Sequence, residues 1–157
     1  SASEDATAKL WRLDDGRCKK TLQGHKAAVY SASFSPDSKF VVTASEDGTG
    51  RIWIVKTGDC TKTLRGHGCP VLWASFAPDG SHVTTTARDG QLKIWNAKSG
   101  TCDRTLQGQK PVYCVSFASD GKSFVTQSSG DCSARICDIE TGECNRTLTG
   151  HGDLVLW

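Results

Sequence analysis

Histidine, a hydroxyl and a carboxylate recur together in this chain, and that trio is the equipment of nucleophilic catalysis. His25, Thr43 and Asp47 form one set, and His67, Thr85 and Asp89 repeat it 42 residues further on. In a triad the carboxylate orients the imidazole, and the imidazole takes the hydroxyl proton as the oxygen attacks. The repetition weighs against catalysis, since an active site has no reason to be copied into successive units. Each set also ends in a tryptophan, Trp53 or Trp95. A buried indole N–H and a buried imidazole each need a hydrogen-bond partner, so these residue types satisfy one another without any chemistry.

Other groups with chemical potential are weaker. Basic residues recur as Lys9, Arg51, Lys93, Arg135 and as Lys20, Lys62, Arg104, Arg146. Two such ladders would suit a nucleic-acid groove, but Asp5, Asp47, Asp89 and Asp131 recur as often, and the net charge is only +2. The second ladder is expected on an outermost strand, where Lys and Arg discourage edge-to-edge pairing. Four of the eight cysteines, Cys18, Cys60, Cys102 and Cys144, hold one place in successive units. That placement spreads them in space and predicts free, half-buried thiols in a reducing compartment rather than disulfides. His67-Gly68-Cys69 and the pair Cys132 and Cys137 lack a second ligand pair at zinc spacing, so no metal is expected. With no phosphate-cradling glycine loop and no nucleophile elbow, neither a cofactor nor an enzyme is expected. Asn145-Arg146-Thr147 is a glycosylation sequon that matters only in a secreted chain.

The elements that position these residues are set by a period. Gly24, Gly66, Gly108 and Gly150 are 42 residues apart. They divide the chain into a half unit at 1–23, whole units at 24–65, 66–107 and 108–149, and the start of another at 150–157. In the first whole unit Ala28–Phe34, Lys39–Ser45, Arg51–Val55 and Cys60–Leu64 read as strands. Ser35-Pro36-Asp37-Ser38 and Asp47-Gly48 are the turns between them. No segment carries a helical period, so the chain is expected to be all-β with about fourteen short strands. No window approaches the roughly 18 apolar residues of a membrane helix. The sequence contains no methionine, not even at its first position, as expected of a processed chain or a piece of a longer one.

A 42-residue unit of four strands carrying Gly24-His25, Asp47-Gly48 and Arg51-Ile52-Trp53 resembles the WD40 repeat, the blade of a β-propeller. Gly66-His67, Asp89-Gly90 and Lys93-Ile94-Trp95 repeat the resemblance. The family's Asp after Trp is Arg12, Ile54 and Asn96 here, and only Asp138 keeps the acid, beside Cys137 in the tryptophan's place. The resemblance implies a structural relay from Trp to hydroxyl to His to Asp. Its members would be Trp53, Thr43, His25 and Asp47, then Trp95, Thr85, His67 and Asp89, with both sets complete. Ser45 is a second candidate hydroxyl in the first set, and its counterpart in the second is Ala87. In the third unit Gln109 takes the place of His, Cys137 that of Trp and Gln127 that of Thr, leaving Asp131, so faster amide exchange is expected across 108–149 than across 24–107.

The family also binds partners on the face where the Asp-Gly turns emerge. Carried onto this sequence, that face holds Ala28, Tyr30 and Glu46, then Pro70, Leu72 and Arg88, then Pro111, Tyr113 and Gly130. The partial ends add Glu4, Leu154 and Leu156. Tyrosine and arginine with few other charges is the composition of a protein-binding hot spot, although Leu72 and Leu156 could instead fill the channel mouth. Seven blades at this period need roughly 290 residues. The resemblance therefore implies an incomplete ring, part of a larger propeller, with self-association of two arcs as the rival. It implies a non-catalytic protein-interaction scaffold, cytoplasmic or nuclear, within a larger complex. The alternatives are the sensor or substrate-receptor propeller of a multidomain enzyme or ubiquitin ligase, and a nucleic-acid-binding propeller.

Overall fold

The structure, a computed structural model, describes residues 1–108, 112, 114–128, 132–153 and 155. The described residues contain fourteen strands and no helix. β1 (Thr7–Trp11) and β2 (Cys18–Gln23) pair as a two-stranded sheet, which Ser1 and Ala2 extend by bonding back onto β1. β3 (Val29–Phe34), β4 (Phe40–Ser45), β5 (Gly50–Ile54) and β6 (Cys60–Leu64) form the next sheet in sequence order, antiparallel throughout. β7 (Val71–Phe76), β8 (His82–Ala87), β9 (Gln91–Asn96) and β10 (Cys102–Gln107) repeat it. β11 (Val115–Phe117), β12 (Ser123–Ser128), β13 (Ser133–Asp138) and β14 (Cys144–Leu148) repeat it once more.

Residue type follows depth within each sheet. β4 and β8, FVVTAS and HVTTTA, are buried on both faces apart from their first residue, because a neighbouring sheet covers each side. Small and β-branched residues suit that position. The fourth strands are polar and largely exposed, β14 along its whole length. At Gly48 the Asp-Gly turn takes φ +79°, a conformation that a side chain disfavours.

The apolar cores lie between sheets. Ala8, Leu10 and Leu22 pack against Val29, Val41 and Trp53 of the next sheet. Val42, Ala44, Ile52 and Leu64 pack against Val71, Ala74, Phe76, Val83 and Trp95. Leu92 and Ile94 pack against Val115, Phe124 and Cys137. Trp53 and Trp95 are thus the plugs that their sheets present to the sheet before. The inner strands β3 and β7 also share a hydrogen bond, from Ala74 N–H to Ser31 Oγ at 3.0 Å.

The third whole sheet corrects one sequence assignment. Thr43 faces Arg51 and Thr85 faces Lys93, and the residue facing Arg135 is Thr126. Thr126, not Gln127, therefore occupies the hydroxyl position. The unit is one residue short before β11, and the offset persists through β12 and is recovered only by the start of β13. Gln127 is displaced to the opposite face, where it is buried with its Oε1 unpartnered.

Candidate functional site

In the β3–β6 sheet four side chains make one continuous chain. Trp53 Nε1–H donates to Thr43 Oγ1 at 2.9 Å, and Thr43 Oγ1 lies 2.7 Å from His25 Nε2. His25 Nδ1 lies 2.9 Å from Asp47 Oδ2. The Asp47 carboxylate can only accept, so Nδ1 carries the proton and donates to it, and Nε2 of the neutral ring accepts from the Thr43 hydroxyl. That is the neutral tautomer, and burial, the largest influence, favours it by lowering the His25 pKa against the opposing pull of Asp47. Burial would raise the Asp47 carboxyl. Hydrogen bonds from the Thr49 hydroxyl, Lys26 N–H and His25 outweigh it and hold the group well below the usual carboxylate range. Ser45 stands outside the chain, donating to Ala27 O at 3.1 Å.

The second set is not complete as the sequence implied. Trp95 Nε1–H donates to Thr85 Oγ1 at 2.7 Å, and His67 Nε2 is 2.7 Å from the same oxygen. Among the described residues His67 Nδ1 has no partner, and the Asp89 carboxylate accepts from Gln91 N–H at 3.0 Å. The physical reason lies in the neighbours. Asp47 is gripped by Thr49, whose hydroxyl donates at 2.6 Å, and by Lys26 N–H at 3.0 Å. The counterpart of Thr49 is Gln91, which has no hydroxyl, and Gly68 stands in the place of Lys26 without its N–H bonding Asp89 among the described residues. Burial, then Lys93, push the His67 pKa down to about 4, with Asp89 opposing.

A third tryptophan makes the same first link. Trp11 Nε1–H donates to Ser1 Oγ at 2.9 Å, although Trp11 is 47% exposed. The sequence held the signal: Trp11, Trp53 and Trp95 each bond a hydroxyl ten residues before them. Of the third unit's set, Gln109 and Asp131 lie outside the described residues.

The basic ladder beside the tryptophans is used internally. Arg51 lies over the Trp53 ring at 5.9 Å and Lys9 over Trp11 at 6.0 Å, while Lys93 Nζ donates to Thr105 Oγ1 at 2.8 Å. A side chain added at Gly24, whose φ is +147°, would come within 2.7 Å of Arg51 Nη1, so the glycine before His25 is what lets Arg51 lie there.

The expectation of free thiols alone is overturned by a disulfide between Cys137 and Cys144. The register explains it. The repeated cysteine faces the tryptophan across the third and fourth strands of every sheet: Trp11 with Cys18, Trp53 with Cys60, Trp95 with Cys102. Where Cys137 replaces the tryptophan, the facing residue is Cys144. Cys18, Cys60, Cys69, Cys102, Cys114 and Cys132 are free. Denatured without reductant, the chain is expected to show six reactive thiols and, after reduction, eight. Eight before reduction would contradict the bond.

The residues of the expected partner face gather at one end of the sheets. Glu46 N–H donates to Ala28 O at 2.9 Å and Arg88 N–H to Pro70 O at 3.0 Å, so each Asp-Gly turn is clamped to the entry of its inner strand. The register of β3 against β4 slips between Val29 and Ser31, leaving Tyr30 as the bulged residue, and β7 does the same at Leu72. Tyr30 is 41% exposed, Glu46, Arg88 and Glu4 are exposed, and Ala28, Pro70 and Leu72 are half-buried. Pro111, Tyr113, Gly130, Leu154 and Leu156 lie outside the described residues.

Successive four-stranded sheets, packed face to face with tryptophans plugging the joints, define a blade-repeat protein of the propeller class. The profile of the WD domain, G-beta repeat family matches residues 16–53, 58–96 and 100–138, and the chain belongs to the WD40 repeat family. Each matched repeat starts just before the last strand of one sheet and ends on the third strand of the next, so sequence repeat and sheet are one strand out of phase. The chain is similar to F-box-like/WD repeat-containing protein TBL1Y of Homo sapiens, 50% identical over 40 residues, 26% of this chain and 8% of the relative. It is similar to WD repeat and SOCS box-containing protein 1 of Homo sapiens, 52% over 42 residues, 26% and 10%. It also matches nuclear distribution protein PAC1 of Arthroderma otae, 44% over 43 residues, 27% and 9%. The matched stretch is about a tenth of the length of these relatives.

Proposed function

We propose that this arc of WD40 blades is a non-catalytic scaffold, a segment of a larger assembly, whose protein partners dock on the end where Tyr30, Glu46 and Arg88 emerge. The observation that carries the reading is the repeated bulge. A bulge re-aims a side chain out of the pleat, and here it does so at Tyr30 and Leu72, beside the clamped Asp-Gly turns. An exposed tyrosine flanked by one acid and one arginine suits a protein hot spot. Catalysis is disfavoured because the His25 imidazole is enclosed and both its nitrogens are engaged within the sheet. The internal relay is read as a strut joining the sheet's strands, with Trp53, Thr43, His25 and Asp47 as its members. An intracellular setting, cytoplasmic or nuclear, is favoured by the three exposed free thiols Cys18, Cys60 and Cys102, while the Cys137–Cys144 disulfide weighs against it.

A second reading, the recognition propeller of a multidomain chain such as a ubiquitin ligase, is favoured by relatives whose names join WD repeats to an F-box-like or a SOCS box element. A nucleic-acid surface is disfavoured, because Arg51 and Lys93 are engaged inside the sheets.

A photo-crosslinking residue placed at Tyr30 tests the scaffold reading, with Ser38 at the other end of the sheet as the control. Crosslinks to a partner from position 30 but not 38 are expected. With that partner in hand, Tyr30→Ala should weaken binding by about 1–2 kcal/mol. An unchanged Kd would remove Tyr30 as an anchor.

A further inference from the structure

We propose that the crevice between the β3–β6 and β7–β10 sheets binds a peptide of a partner protein in which a large apolar side chain is followed directly by carboxylates. The crevice lies at the end of the sheets opposite Tyr30, where the turns after β3 and β7 emerge. It encloses about 420 Å³ over an apolar floor of Phe40, Ile52, Phe76 and Ala97. Lys62 and Lys98 line it as well, and among the described residues neither ammonium group has an ion pair or hydrogen bond. A Cβ on Gly100 would lie 3.2 Å from Lys62 Cδ, so the lysine's methylenes rest on the neighbouring sheet and its side chain spans the junction.

Two carboxylates, Asp37 and Asp79, share the lining, but both are engaged in their own turns. Asp37 accepts from the Ser35 hydroxyl at 2.7 Å and from Lys39 N–H at 3.1 Å, and pairs with Lys39 Nζ at 3.4 Å. Asp79 accepts from Ser81 N–H at 2.9 Å and from its hydroxyl at 2.6 Å. Lys39 offsets Asp37, and the charged Asp79 offsets one of the two lining lysines, so the charge left facing an occupant is positive, and an acidic group beside an apolar one complements it.

The lining of this crevice changes one unit on. One unit on, the place of Phe40 is taken by His82 and that of Thr61 by Asp103, and these two face each other at 3.7 Å. Ile94, Phe117, Ile139 and Arg104 keep their apolar or cationic character there, but an acid-bearing pair stands where Phe40 and Thr61 line the crevice, and Glu140 takes the place of Lys98. The surface is separate from the Tyr30 end, so the two readings stand or fall independently.

The test is fluorescence anisotropy of the 157-residue chain with labelled ten-residue peptides in a Gly/Ser frame. One peptide carries Phe-Asp-Glu, one the uncharged Phe-Asn-Gln, and one Gly-Asp-Glu. Phe-Asp-Glu is expected to bind, with affinity falling about tenfold or more for either altered peptide, which corresponds to about 1.4 kcal/mol. The double variant Lys62→Glu/Lys98→Glu should lose binding by at least as much while keeping the thermal unfolding of the parent, and Tyr30→Ala should bind the peptide as the parent does. Equal binding of Phe-Asn-Gln, full binding by the double variant, or no binding of Phe-Asp-Glu overturns the proposal. So does competition by free 3-phenylpropionate at the peptide's own concentration, which would make the occupant a small organic acid.

Discussion

Replacing Thr43 with valine is expected to destabilise the chain by about 2–4 kcal/mol, although the two side chains have nearly the same shape. Among the described residues the hydroxyl is the only partner of Trp53 Nε1 and of His25 Nε2, and Thr43 is fully buried. Its loss leaves two buried polar atoms unsatisfied at about 1–3 kcal/mol each. Against a typical total of about 5–15 kcal/mol that is a large share. Thr126→Val is the matched control. Thr126 occupies the corresponding place in its sheet, but Cys137 stands where the tryptophan would be. Its replacement should shift stability by under about 1 kcal/mol. Equal losses for the two variants in urea unfolding would show that the chain from Trp53 to Asp47 contributes nothing special.

Acid should unfold the chain in two stages. The His67 pKa is pushed down to about 4 and the His25 pKa also lies below its ordinary value of 6.5. The unfolded chain therefore takes up protons near pH 6.5 that the folded chain refuses. Folding stability from these groups is fully present above about pH 6.5 and is lost as pH falls toward about 4, by about 2–3 kcal/mol for His67 after allowing for its partial exposure. Asp47 acts next. Its folded carboxyl lies below the usual range, so its contribution persists above about pH 4 and disappears only at lower pH. His67→Gln should flatten the first stage between pH 6.5 and 4, measured as the midpoint of urea unfolding against pH. An unchanged slope in that variant would mean that His67 titrates alike in the folded and unfolded chain.

The fold was legible because its determinants are local. The 42-residue period, the β-branched runs and the Asp-Gly turns each declare themselves within a few residues, and the WD40 resemblance carried them into sheets. What escaped the sequence depended on register between strands. The Cys137–Cys144 bond follows from the tryptophan and the repeated cysteine facing each other, a pairing visible only once the third and fourth strands are aligned. Thr126 was misassigned as Gln127 because the missing residue is made good after β12 rather than before it. The unpartnered Nδ1 of His67 turns on Gln91 and Gly68, which lie beside the motif and not in it. Ser1 was missed because the first unit is represented only by its second half, although the spacing from Trp11 marks it.

Hydrogen exchange of the tryptophan indoles, followed by NMR with the backbone amides, tests most directly whether the buried Trp–Thr–His chain ties these sheets together. Trp53 and Trp95 are 1% and 2% exposed and donate to buried threonines, so their Nε1–H signals should exchange as slowly as the amides of β4 and β8. Trp11, 47% exposed, should exchange far faster, and amides within 115–148 faster than those within 29–107. If the Trp53 indole exchanged as fast as that of Trp11, the strut from Trp53 to Asp47 would not exist in solution.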